Sequence, residues 1–275
     1  MKREEKRARW QEIQRELREH RSSFIVYFVL RLFVIITMVA HFLNGQYENV
    51  FICILTLILL LVPSFIQVRL RVELPSTLEI ILLLFVFAAE ILGEINAYYV
   101  RYPIWDTALH TLNGFLMAAI GFSLVDILNR DQRFSIQLSP VFLSLVAFCF
   151  SMTIGVVWEF FEFGMDMMFG LDMQKDAIVH TIASVKLDPN GGNIIHRISN
   201  ITDTVVNGQS LGLNGYLDIG LIDTMKDLIV NFVGAVVFSF IGYFYVKSRG
   251  KGKFASRFIP RLKKLDNSQT KSEQK

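Results

Sequence analysis

The chain is short of charge and of cysteine, and each shortage excludes something. Only 19% of its 275 residues are Asp, Glu, Lys or Arg, against about 25% in an ordinary soluble domain. That poverty of charge argues against a water-soluble globular class and for an integral membrane protein. The cysteines, Cys53 and Cys149, both fall inside apolar stretches. No disulfide framework can be drawn from them, and they read as core packing. Neither HExxH nor CxxC occurs, so the common zinc signatures are missing. No internal repeat is present. No small-residue cleavage site follows the first apolar stretch, which therefore reads as a retained helix and not a signal peptide.

What the chain has in quantity is apolar: 52% hydrophobic residues, 24 of them Phe. Segments near 24–43, 49–68, 77–99, 107–128, 138–163 and 223–246 each have the length to span, which takes about 20 mostly apolar residues. Lys and Arg crowd the N-terminal arm and the tail from Lys247, with Arg69, Arg71, Arg130 and Arg133 in intervening links. The opposite links are poor in them, so the positive-inside rule puts both termini in the cytoplasm. Trp105 and Trp158 mark the outer interface. The expectation is an all-α, polytopic transmembrane helical bundle of six spans in a bacterial inner membrane. Its parts are a charged surface helix over 1–22, a bundle over 23–169, an extracytoplasmic loop or cap over 170–222, the sixth span over 223–246, and a basic tail over 247–275, expected to be disordered. In the arm the acids nearly balance the bases, which speaks against nucleic acid as a partner.

The loop, roughly 50 residues long, exceeds ordinary connections and so reads as functional. It holds the turn signal DPNGG at 188–192 between β-branched stretches, AIVHTIASVK and NIIHRISNITDTVV, which predict short strands. His180 and His196 read as ordinary loop residues, with a ligand role for either as the alternative.

The acids sit where charge is costly. Asp106, His110 and Asn113 open the fourth span at i, i+4, i+7. Glu159, Glu162 and Asp166 close the fifth at i, i+3, i+7. Asp223, Asp227 and Asn231 open the sixth at i, i+4, i+8. Each set is one stripe on one helix face, and the topology gathers all three at the outer end. Glu90 and Glu94 in the third span join or edge the cluster. So many carboxylates cannot all stay ionised and unpaired in a low-dielectric setting. Protonation is one way out; a divalent metal (Mg, Mn or Zn) is the other, and bundles build metal sites from such stripes. The expected metal ligands are Asp106, His110, Asp166, Asp223 and Asp227, with Glu159 and Glu162 as catalytic bases. A purely structural polar network is the alternative.

The runs WDTALHTLNGF (105–115), WEFFEFGMD (158–166) and LIDTMKDLIVNFVGA (221–235) resemble the YjdF-like family of bacterial inner-membrane proteins. In that family Asp-x-x-x-His, Trp/Tyr-Glu and Asp-Thr-x-x-Asp segments recur in this order. The resemblance covers about residues 77–246. A fainter likeness to VanZ-like membrane proteins rests on the Asp-x-x-x-His pair alone. The YjdF-like resemblance implies a polytopic membrane protein of unassigned activity. It supports Asp106, His110, Glu159, Asp223 and Asp227 without supplying a substrate. Three functions stay open: a metal-dependent hydrolase or transferase acting on a lipid or envelope precursor in the bilayer, a cation or proton transporter, and a non-catalytic scaffold or envelope-stress component.

Overall fold

A computed structural model of the chain describes residues 21–70, 72–130, 138–248, 250 and 252–262. The surface helix expected over 1–22 lies, but for its last two positions, outside the described residues, as does the tail beyond Leu262.

Among the described residues five helices are long and apolar enough to cross a membrane: Arg21–Leu43, Tyr47–Arg69, Trp105–Asn129, Pro140–Phe169 and Leu221–Lys247. They match five of the expected spans. On the first of them Phe24, Phe28, Phe33, Ile36 and Phe42 are all more than half exposed. Water would not tolerate that surface, and lipid does.

The chain divides into two compact units, the first formed by residues up to Met152 and from Asn231 on, the second by Thr153–Val230. The first unit begins with α1 (Arg21–Leu43). The second apolar stretch is broken into α2 (Tyr47–Leu59) and α3 (Val62–Leu70). Pro63 explains the break: it has no N–H to donate and its ring crowds the preceding turn. The segment expected as the third span is α4 (Ser76–Phe87), followed by a π-helix over Ala88–Ile95. Neither piece alone has the length of a span, because the helix changes register midway. Asn96 terminates the π-helix. Its backbone N–H donates to the Ile91 carbonyl (3.1 Å), and its side-chain amide donates to the same oxygen (2.7 Å). Ala97 then turns left-handed at φ 55°. The short α5 (Tyr98–Arg101) leads into α6 (Trp105–Arg130), whose Trp105 Nε1–H donates to the Ala88 carbonyl at 3.3 Å. The π-helix and the start of α6 are thereby tied together.

Two apolar clusters fill this unit. Leu30, Val34, Cys53, Leu60, Leu83 and Ile91 join α1 and α2 to α4 and the π-helix. Leu78, Leu82, Leu116, Phe122, Leu143 and Phe238 form the other, with α7 (Pro140–Phe169) and α8 (Leu221–Lys247) contributing. Here α6 and α8 meet backbone to backbone. A Cβ on Gly114 would stand 2.0 Å from the Asn231 carbonyl oxygen, and one on Gly234 would stand 2.0 Å from that of Thr111. Ser151 Oγ–H donates to the Gly114 carbonyl (2.7 Å). Small residues at such crossings are how membrane helices approach closely.

The tail corrects an expectation. Residues 252–262 are not a disordered continuation of α8 but fold back onto the bundle. Ala255, Phe258 and Ile259 are buried, the Phe258 ring stands edge-on to Phe115 at 5.1 Å, and Arg261–Leu262 pairs antiparallel with Val72–Glu73. The basic composition hid a short apolar run that buries itself.

The strands of the second unit are β2 (Ile178–Val179), β3 (Thr181–Ser184), β4 (His196–Ser199), β5 (Val205–Val206), β6 (Gln209–Ser210) and β7 (Tyr216–Leu217), with β1 being Val72–Glu73 of the first unit. Four of them, β2 to β5, fall within the two β-branched stretches, and β6 and β7 lie beyond them. They pair antiparallel as β2 with β7, β3 with β4 and β5 with β6. Asn207 and Gly208 join β5 to β6 with φ of 53° and 81°, the geometry of a tight hairpin turn.

Candidate metal centre

The first turns of α6 carry the imidazole. The i, i+4 spacing puts Asp106 and His110 side by side, with His110 Nε2 3.4 Å from Asp106 Oδ1 and side chains 12% and 18% exposed, respectively. One turn further along the same stripe, Asn113 Nδ2–H donates to Asn231 Oδ1 at 3.1 Å. Asn231 itself is 1% exposed and reaches Met152 Sδ with its own amide.

In the second unit the acids divide by what they hold. Glu159, Glu162 and Asp227 are buried. Glu162 Oε1 accepts from Trp158 Nε1–H at 2.9 Å, one helical turn away, which fixes its rotamer. Asp166 accepts with both oxygens, from the backbone N–H groups of Met173 (2.6 Å) and Gln174 (2.9 Å). Asp223 Oδ2 accepts from the Lys175 N–H at 2.9 Å. These two aspartates thus hold the first residues of the loop in place. Sequence reasoning missed Asp218, which accepts from the N–H groups of Ala177 (2.7 Å) and Ile222 (2.8 Å). Its signal was available: an acid just ahead of an apolar helix, where the first N–H groups need acceptors.

Of the expected ligands, Asp106 and His110 stand side by side in the first unit, and Asp227 is buried in the second. Carboxylates with one imidazole form a borderline-hard donor set, which suits Zn or Mn and accepts Mg less readily. Glu90 is 5% exposed and sits on the π-helix. His180 and His196 lie on the loop.

Residues 25–248 match the family described as predicted membrane protein DUF2238, and the chain belongs to that family. The YjdF-like proteins suggested by the three sequence runs fall within it; the match lends nothing to the fainter VanZ-like likeness. No curated protein and no solved structure matches the chain.

Proposed function

We propose that this protein is a membrane-embedded, metal-dependent hydrolase or group transferase acting on a lipid or envelope precursor. Its termini would lie in the cytoplasm of a bacterial cell, its loop outside, and the Ser76–Ile95 segment would serve as the third of six crossings. The observation that carries the reading is the Asp106–His110 pair, 3.4 Å apart on one face of α6. With Asp227 as the proposed third ligand a coordination position would stay open, which separates catalytic from structural metal sites. A metal there supplies Lewis-acid polarisation of a phosphoryl or acyl oxygen and an acidified water. The chain's own residues then orient and exchange protons. Glu159 takes the role of general base, and Trp158 holds Glu162 beside it in sequence as its support. The hydrogen bonds that Asp166 and Asp223 make to residues 173–175 favour a loop-holding role for both, outside the ligand set.

Metal analysis of protein purified without chelators tests this. Wild type should carry a divalent ion and show a metal-dependent thermal shift. His110→Ala and Asp227→Asn should lose the ion with helix content unchanged. Glu159→Gln should keep the ion and lose release of phosphate or acyl groups from membrane lipid extracts. Wild type with no ion and no thermal shift would sink the metal reading, leaving protonated carboxylates and a transport or scaffold role.

A further inference from the structure

A second polar pair lies away from the membrane spans, in the connection between β3 and β4. The register opposes Ser184 to His196. The chain between them makes a 3₁₀ turn over Val185–Leu187 and then the DPNGG turn. Asp188 ends up with its side chain 1% exposed, in a loop whose neighbouring residues 189–195 are all exposed. Its Oδ1 accepts from the Asn190 N–H at 3.0 Å. Its Oδ2 is buried with no hydrogen-bond partner among the described residues. Buried carboxylate oxygens in native proteins have a donor or a cation.

The pair's spacing indicates which. His196 Nε2 lies 3.7 Å from Asp188 Oδ1, outside the range of about 2.7–3.2 Å for a hydrogen bond. Two ligand atoms bonded at about 2.0–2.1 Å to one tetrahedral zinc stand about 3.4 Å apart, so 3.7 Å is close to a shared-ion spacing. The turn encloses the carboxylate with glycine: Gly191 has φ 65°, and a Cβ on Gly192 would come 2.8 Å from Asp188 Oδ2. The imidazole is 45% exposed, so water reaches the site and completes the coordination.

We propose that Asp188 and His196 bind a borderline divalent cation of the zinc, cobalt or nickel type, in an open, exchangeable site on the loop. Imidazole as a ligand disfavours calcium and magnesium, which take oxygen donors. The site stands independently of the Asp106, His110 and Asp227 set.

The test is equilibrium dialysis of the full-length protein in detergent against zinc chloride. A His110→Ala background silences the other set. At pH 7.5 that protein should bind one ion per chain, and adding His196→Gln should weaken binding at least tenfold. His196 is half exposed, so this change leaves the fold intact, which circular dichroism checks. Gly192→Ala, which crowds Oδ2 and removes no donor, should also weaken binding. Lowering the pH to 5.5 should release the ion as the imidazole protonates. If the His110→Ala protein binds no zinc, or binds it equally with and without His196→Gln, the proposal is overturned. It is equally overturned if His196 is protonated near neutral pH by NMR and zinc leaves its ring signals unmoved, since the pair is then only a salt bridge.

Discussion

Asn113 and Asn231 share a hydrogen bond of 3.1 Å from one helix to another, flanked by the two glycines that let those helices touch. The bond sets the register of α6 against α8. One turn toward the N-terminus on the same stripe of α6 stands His110.

Asn231→Leu leaves the half-buried Asn113 amide without its acceptor. The unfolding free energy should fall by about 1–3 kcal/mol, toward the lower end in a bilayer-like medium. The double change with Asn113→Leu should cost less than the sum of the two. Unfolding in mixed micelles reads both. Strict additivity would mean that the pair does not interact.

Gly114→Ala and Gly234→Ala each drive a methyl group to 2.0 Å from a backbone oxygen, and backbone cannot swing aside as a side chain can. Overpacking of this kind costs about 1–3 kcal/mol or more. Both variants should lose monodispersity on size exclusion at temperatures wild type survives. Gly164→Ala is the control, because its nearest neighbour would be the Met168 methyl at 3.6 Å. Equal behaviour of all three would argue against the close helix approach.

Phe258→Ala removes a buried ring packed on Phe115 and Phe254. Loss of a buried Phe costs about 3–5 kcal/mol, and the strand pair that follows it should loosen as well. Proteolysis at Lys253 and Arg257 reads this: slow in wild type, fast in the variant. Rapid cleavage of wild type would show that the tail does not stay docked.

Asp176 is pushed above the usual carboxylate range, first by burial, then by the negative charges of Asp172, Asp218 and Asp166, with the Gly220 backbone hydrogen bond opposing. A raised folded value means that the folded loop holds the proton more tightly than the unfolded chain. The contribution to stability is therefore full below the ordinary Asp range and lost as pH rises through the raised value. Amide exchange at residues 173–177 should quicken over that rise, and Asp176→Asn should flatten it. A wild-type profile that slows with rising pH, after correction for intrinsic exchange, would reverse the sign.

The Lys and Arg distribution predicts that the loop over 170–222 faces outside. Gln209→Cys, exposed in β6, should react with an impermeant thiol reagent in whole cells once Cys53 and Cys149 are replaced by Ala. Labelling only after permeabilisation would turn the protein over in the membrane.

Five candidate spans and the strands β2 to β5 were legible in the sequence, because each depends on local composition. Apolar length makes a membrane helix, and β-branched runs beside Asn-Gly or Asp-Pro turns make short hairpins. The break at Pro63 was equally local. The π-helix over Ala88–Ile95 was not, since its residues are good α-formers and the register change is held by Asn96 and by Trp105 from another helix. The acids were legible as stripes. What the sequence did not show is that Asp166 and Asp223 accept N–H groups from residues 173–175, an arrangement set by how the chain returns after Phe169.

By itself, the sequence determined that this chain lives in a membrane and where its costly polar residues are, since burial in lipid penalises charge whatever the fold. Only the tertiary structure decided where the tail goes and how tightly α6 meets α8. Those outcomes depend on contacts between residues far apart in the chain, and neither spacing nor composition encodes which of several compatible helix faces will meet.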